Sequence, residues 1–287
     1  MINDETKKKL RELKLGELIN AYEIYSKNAD WTELPFEQKF QMMADYLYQE
    51  KYNNSVKILM AKAKFRIPKA EVTSLVYEGR GIDRNLITEL STCQFISSNT
   101  NIVFQGFTGS GKTYLACALG RQACKQRYST KYIRLPDLLV EHDEEKIQRG
   151  NAKRLLKKYG SYGLLIIDEW LMDDISDEEQ HFIFELIERR HDEASTIFCT
   201  QYKKDDWFDR LGGGVHADAI LDRIVHNAIF VETGSMNMRE FCAKMHKYFF
   251  GALLNISGAP RVNCCCSNLN LAVLFTRNNQ IQCFTQK

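Results

Sequence analysis

The sequence predicts an α/β fold, a parallel sheet with flanking helices preceded by a small all-helical domain. Three observations predict it. From about residue 100 onward, short apolar runs alternate with helical patterns, as expected of strands buried between helical layers. Residues 1 to about 75 carry helical spacing and no strand pattern. A chain of 287 residues also has room for one sizeable core and a smaller module.

In the first stretch Leu10, Leu13, Leu15, Leu18 and Ile19 recur at helix-like spacing. A second helix begins near Pro35, with Phe36, Phe40, Met43, Leu47, Val56, Leu59 and Met60 as its apolar positions. Pro68 marks a boundary, because the residue before a proline is pushed out of the helical region. NIVFQG then reads as a strand, 112–127 as a helix, TKYIRL as a strand and 137–159 as helical. GLLIID, a helix over 177–191 and STIFCTQ follow, and two further helical patterns lead to the strand NAIFVET. The expected organisation is a helical domain over 1–75, an α/β domain over 76–241 and an atypical tail over 242–287. In that tail no acid follows Glu240, and Cys264, Cys265 and Cys266 stand in a row without zinc-ligand spacing.

The formal net charge is +2 with 26% charged residues, so any nucleic-acid surface must be a local patch. The N-terminal MINDETKKKL has no apolar core of a secretory signal, and no run of about 18 apolar residues predicts a membrane span. Nine cysteines without paired CxxC spacing read as reduced thiols. The expected location is the cytoplasm.

Between the first strand and the helix after it, Gly106, Phe107, Thr108, Gly109, Ser110, Gly111, Lys112 and Thr113 satisfy the phosphate-loop spacing G-x-x-x-x-G-K-T. Glycines let backbone N–H groups turn toward a phosphate, and the helix N-terminus adds partial positive charge. These eight residues and Tyr114 are the expected ATP-binding set. Lys112 should reach the β- and γ-phosphates and the Thr113 hydroxyl should ligate Mg²⁺.

Leu164 to Ile167 form an apolar run that ends in Asp168 and Glu169. A buried strand would place Asp168 beside the phosphate loop, where open α/β sheets bind ligands. Asp168 would hold Mg²⁺ and Glu169 would polarise a water for attack on the γ-phosphate. A Glu directly after this Asp suits the AAA+ group of P-loop ATPases, and no LSGGQ signature of transporter ATPases is present. An ATP hydrolase is expected. Thr200-Gln201 ends the next strand, and Gln201, in preference to Thr200, is expected between the acids and the γ-phosphate. Arg223 is the candidate arginine finger, acting on a neighbour's ATP, and Arg239 the candidate second sensor, since arginine is planar, always charged and donates twice.

Beyond these motifs the chain resembles the IstB family, the ATPase helpers of IS21-type insertion sequences, themselves similar to the helicase loader DnaC. The resemblance is carried by KLGELINAY, LPFEQKFQMMADYLYQEKYNNSVKILMAKAKFRIPKA, GFTGSGKTYLACALG, LLIIDEW, STIFCTQY and ILDRIVHNAIFVETGSMNMRE, roughly residues 5 to 240. It implies an AAA+ fold with a helical N-terminal domain. It also implies duplex DNA binding without strong sequence preference, homo-oligomers formed with ATP and DNA, and a cognate transposase as partner. Such proteins generally end soon after the position of Arg239, so the tail reads as a frameshifted or read-through terminus without assigned function.

Lys51, Lys57, Lys62, Lys64, Arg66 and Lys69 follow Glu50 with no acid among them and are the expected phosphate-backbone contacts. Tyr52 and Phe65 among them are expected to pack in the core. The acidic run Asp173 to Glu179 reads as a helix start, with Ser176 and Glu179 as a capping box. Two other readings stand beside the transposition helper: a DnaC-like helicase loader, and a nucleotide-gated DNA-binding scaffold with little turnover.

Overall fold

The structure, a computed structural model, describes residues 2–149, 153–253, 273–275 and 281–283. The chain divides into two compact units, Met1–Ala61 and Lys62–Lys287. In the first, α1 (Asp4–Glu12) is capped by Asn3, whose side chain accepts from the Thr6 amide. Lys14, at φ 58°, breaks the leucine periodicity, and α2 (Gly16–Tyr25) follows. α3 (Phe36–Ala63) runs 28 residues. Trp31 is buried and stacks on Tyr25 at 5.5 Å, with Tyr46 edge-on to Tyr25 at 6.2 Å.

Phe36 and Phe40 have the expected helical spacing yet are 71% and 59% exposed. A 28-residue helix is about 42 Å long. Two short partners, of 9 and 10 residues, do not cover that length.

The second unit begins at Lys62, not near residue 75. The reason is packing: Ala63, Phe65 and Ala70 are buried, and Phe65 lies against Gly120 of the α/β layer. A short segment leads to α4 (Arg84–Ser91), capped by Asp83, and α5 (Gln94–Ser97). There follow β1 (Asn101–Gln105), α6 (Lys112–Lys125), β2 (Thr130–Arg134), α7 (Leu135–Arg149), α8 (Lys153–Gly160) and β3 (Leu164–Asp168). Next come α9 (Asp177–Arg190), β4 (Ser195–Thr200), α10 (Trp207–Arg210), α11 (Gly214–Val225), β5 (Ala228–Glu232) and α12 (Met238–Leu253). The helical pattern over 137–159 is therefore carried by two helices. α12 continues past residue 241, so the tail opens as helix. β6 (Val273–Phe275) and β7 (Ile281–Cys283) pair antiparallel. Cys264, Cys265 and Cys266 lie outside the described residues.

The five main strands are all parallel in the order β2-β3-β4-β1-β5. Side chains alternate across a strand, and both faces of this sheet are covered. Val103, Ile133, Leu165, Ile167 and Phe198 join the core with α7, α8, α9 and α11. On the other face α6 approaches so closely that a Cβ on Gly120 would stand 2.7 Å from Ile166 Cδ1. Ser176 and Glu179 form the expected capping box at the start of α9. Arg190, 2% exposed, ends that helix by donating to Thr196 Oγ1 and to the carbonyls of Tyr159, Tyr162 and Ser195. No disulfide occurs among the described residues, and burial pushes the Cys93 and Cys117 thiols up to about 12.

Candidate nucleotide site

The site forms at the carboxyl edge of the sheet, where β1 and β3 end on either side of β4. β1 delivers the chain into 106–111, and α6 starts at Lys112. Gly109 and Gly111 hold φ of 84° and 94°, which β-carbons disfavour. Asn237 fills the space where a side chain on Gly109 would stand. The loop curls back on itself: Lys112 Nζ donates to the carbonyls of Gly106 (2.7 Å) and Phe107 (2.8 Å). Burial lowers the Lys112 pKa, and the positive charge of Arg239 adds to that effect.

Neighbouring strands fasten the loop. Ser110 Oγ lies 2.6 Å from Thr233 Oγ1 after β5, and the Thr108 hydroxyl donates to Gln201 Oε1 after β4 at 2.6 Å. Thr200, by contrast, turns its hydroxyl to the Trp170 carbonyl. The Met238 amide, opening α12, donates to the Gly109 carbonyl at 2.8 Å. The Tyr114 hydroxyl accepts from the Glu71 N–H at 3.2 Å and donates to the Glu71 carbonyl at 3.3 Å.

At the end of β3 Asp168 is 3% exposed. Its Oδ2 accepts from Thr113 Oγ1 and from Tyr132 OH, each at 2.7 Å. Burial and then the Asp168 charge push the Tyr132 phenol well above its ordinary range, so it stays a donor. Glu169 sits at φ 56°, in a turn where Leu171 also has positive φ and Arg210 holds the Leu171 and Met172 carbonyls. The Glu169 carboxylate accepts from Arg66 at 2.9 Å and from Arg134 at 3.3 Å. Arg134 is itself anchored on Asp137, the main cause of its raised pKa.

Of the sequence candidates, the structure thus gathers the phosphate loop, Asp168, Glu169, Gln201 and Arg239. Arg223 lies elsewhere, on α11, ion-paired with Glu188 and over the Phe184 ring at 5.3 Å. Among the basic residues Lys51 and Lys57 belong to the first unit, while Lys62, Lys64, Arg66 and Lys69 belong to the second. Arg66 is spoken for by Glu169. Phe65 is buried as expected; Tyr52 is half-buried. Sequence reading passed over Tyr132, Arg134, Thr233 and Asn237. Period-two alternation puts Tyr132 and Arg134 on one face of β2, and strand register sets Arg134 opposite Asp168. That register could have flagged them.

A family model described as IstB-like ATP binding protein matches residues 8–244. The chain belongs to this family. A protein of Sinorhizobium fredii (strain NBRC 101917 / NGR234) named as an insertion sequence ATP-binding protein is 29% identical over 239 residues, 83% of this chain and 96% of its own. The ATP-binding protein named for insertion sequence IS232 of Bacillus thuringiensis subsp. berliner is 33% identical over 208 residues, 72% of this chain and 82% of its own. A solved structure of the replication initiator DnaA, bound to AMPPCP and single-stranded DNA, aligns with a TM-score of 0.51 and 21% identity. That alignment covers 67% of this chain and 57% of DnaA and reports likeness of fold, the AAA+ ATPase fold. No described helix of this IstB-like chain is long and apolar enough to cross a membrane.

Proposed function

We propose that this IstB-like protein is a DNA-dependent ATPase that assembles on duplex DNA with ATP and helps a transposase engage its target. The observation that carries the hydrolytic part is the convergence of Thr113, Asp168 and Glu169 at one sheet edge, with Thr113 Oγ1 2.7 Å from Asp168 Oδ2. In this reading Lys112 exchanges the carbonyls of Gly106 and Phe107 for oxygens of the triphosphate, and the loop's N–H groups take the remainder. The Thr113 hydroxyl and Asp168 carboxylate are hard oxygen donors that fit Mg²⁺. The bound ion would supply charge stabilisation on the phosphate oxygens.

Glu169 is the group placed to take a proton from the attacking water, and ATP and water give ADP and phosphate. To do so its carboxylate must leave Arg66 and Arg134. Gln201, tied to Thr108, serves at the γ-phosphate end of the loop, and Arg239 serves beside Lys112. Arg223, away from this site, would act on the ATP of a neighbouring subunit. Exposed Lys51, Lys57, Lys62 and Lys64 supply sequence-independent DNA contacts, together with Lys69. The transposase role is supported by family membership and by relatives named for insertion sequences.

Turnover of the full chain with and without duplex DNA, with Glu169→Gln as control and particle size followed in parallel, tests this reading. DNA-stimulated turnover that Glu169→Gln abolishes, with large ATP-dependent particles, supports it. A protein that stays small, ignores DNA and hydrolyses nothing overturns it. One observation favours a nucleotide-gated scaffold with little turnover instead: the double arginine hold on Glu169. Under that reading ATP and DNA bind together while turnover stays near background.

A further inference from the structure

The segment just ahead of α4 contains an arginine to which neither the motif nor the family description gives a role. Arg80 is 4% exposed. Its backbone turns between Gly79 and Gly81, both at positive φ, and Gly234 leaves room for its carbonyl, where any side chain would collide. From there the guanidinium reaches the back of the phosphate loop. Nη1 donates to the Val76 carbonyl at 3.1 Å and Nη2 donates to the Ser110 carbonyl. The group lies so close to Gly111 that a Cβ there would stand 2.9 Å from Nη2. Nε is buried without a hydrogen-bond partner.

Two properties set this arginine apart. A trans peptide points its C=O and N–H in opposite directions. Holding the Ser110 oxygen behind the loop therefore turns the Gly111 N–H to the opposite, concave side, where phosphate oxygens are bound. The charge is also uncompensated, because no carboxylate among the described residues pairs with Arg80. Burial accordingly lowers its pKa. A buried cation without an anion is costly. Arg190 is as deeply buried and also lacks a carboxylate, but every one of its nitrogens donates to an oxygen and it lies at the far end of α9. Arg80 has a nitrogen to spare and sits at the one place where an anion is expected.

We infer that Arg80 is a positioning residue of the nucleotide site: it fixes the Ser110–Gly111 peptide for phosphate binding, and its buried charge is offset by the bound phosphates. The inference rests on reading 106–113 as the ATP site. It predicts that the fold tolerates loss of the charge better than nucleotide binding does.

The test uses the full chain as wild type, Arg80→Met and Arg80→Lys. Two quantities are read: the Kd for ADP and for ATP by calorimetric titration at several salt concentrations, and the nucleotide-free Tm. Arg80→Met should keep or raise the nucleotide-free Tm, weaken ADP and ATP about tenfold or more by a similar factor, and flatten the salt dependence of binding. Arg80→Lys, which keeps the charge but can serve only one carbonyl well, should fall between. A lowered Tm with unchanged affinity in Arg80→Met would make the residue a structural staple and overturn the inference. If Arg80→Met does not fold, Arg80→Lys decides: weaker binding at unchanged Tm supports the inference, and wild-type affinity overturns it. A wild-type chain that binds neither nucleotide sinks the ATP-site reading itself, whereas normal wild-type binding with unaffected variants sinks only the role of Arg80.

Discussion

The phosphate loop and the Asp168–Glu169 turn stand on the same sheet edge but are built differently. The loop is made almost entirely from eight consecutive residues, and its cation Lys112 closes on carbonyls five and six positions away. The acid turn is assembled from afar. Asp168 takes its donors from α6 and β2, and Glu169 is held by Arg66, 103 residues earlier, and by Arg134, 35 residues earlier. A ligand cradle can thus be encoded locally, whereas the state of the group that would activate water depends on segments that meet only in the folded unit. Both charged groups are occupied, Lys112 by carbonyls of its own loop and Glu169 by arginines from distant segments.

This contrast can be broken or sharpened by mutation. Lys112→Ala removes the loop's only side-chain cation and should weaken ATP binding by about a hundredfold or more, read by titration. If affinity survives, the loop is not the site. Glu169→Gln should separate the two regions, leaving ATP affinity within a few-fold while turnover drops about a hundredfold. An equal loss of both would mean that the acid turn supports the loop and that the two are not independent. Arg134→Ala loosens the hold on Glu169 and should raise DNA-independent turnover by roughly two- to tenfold, a barrier change of about 0.4–1.4 kcal/mol. A fall in turnover would instead make Arg134 part of the active arrangement. Smallest of all, Ser176→Ala, which removes the cap of α9 beyond both regions, should cost about 1 kcal/mol of stability and leave ATP binding untouched.

Much of this was legible beforehand because it is local. The strands NIVF, LLIID and STIFCT are apolar runs that must be buried on both faces, and the helices between them carry their own periodicity. The phosphate loop and the α9 capping box depend on fixed spacing within a few residues. Less legible was the break between the helices over 135–160. The exposure of Phe36 and Phe40 was also hidden, because spacing identifies an apolar face but not whether a partner covers it.

Arg66 shows the limit most clearly. In the sequence it belongs to a run of basic residues without acids, and charge alone made it a candidate for DNA. In the structure the Lys62–Ala70 stretch packs with the α/β unit, and Arg66 meets the carboxylate of Glu169.

By itself, then, the sequence determined the fold class, the phosphate cradle and the pair of acids, because each follows from periodicity or from contacts along a short run of chain. Only the tertiary structure decided which cations stand on Glu169, that Gln201 takes the Thr108 hydroxyl, and that Arg80 donates to the Ser110 carbonyl. Those pairings join residues 30 to 103 positions apart, and parallel strand order and register bring them together. No local pattern of charge or hydropathy records that geometry.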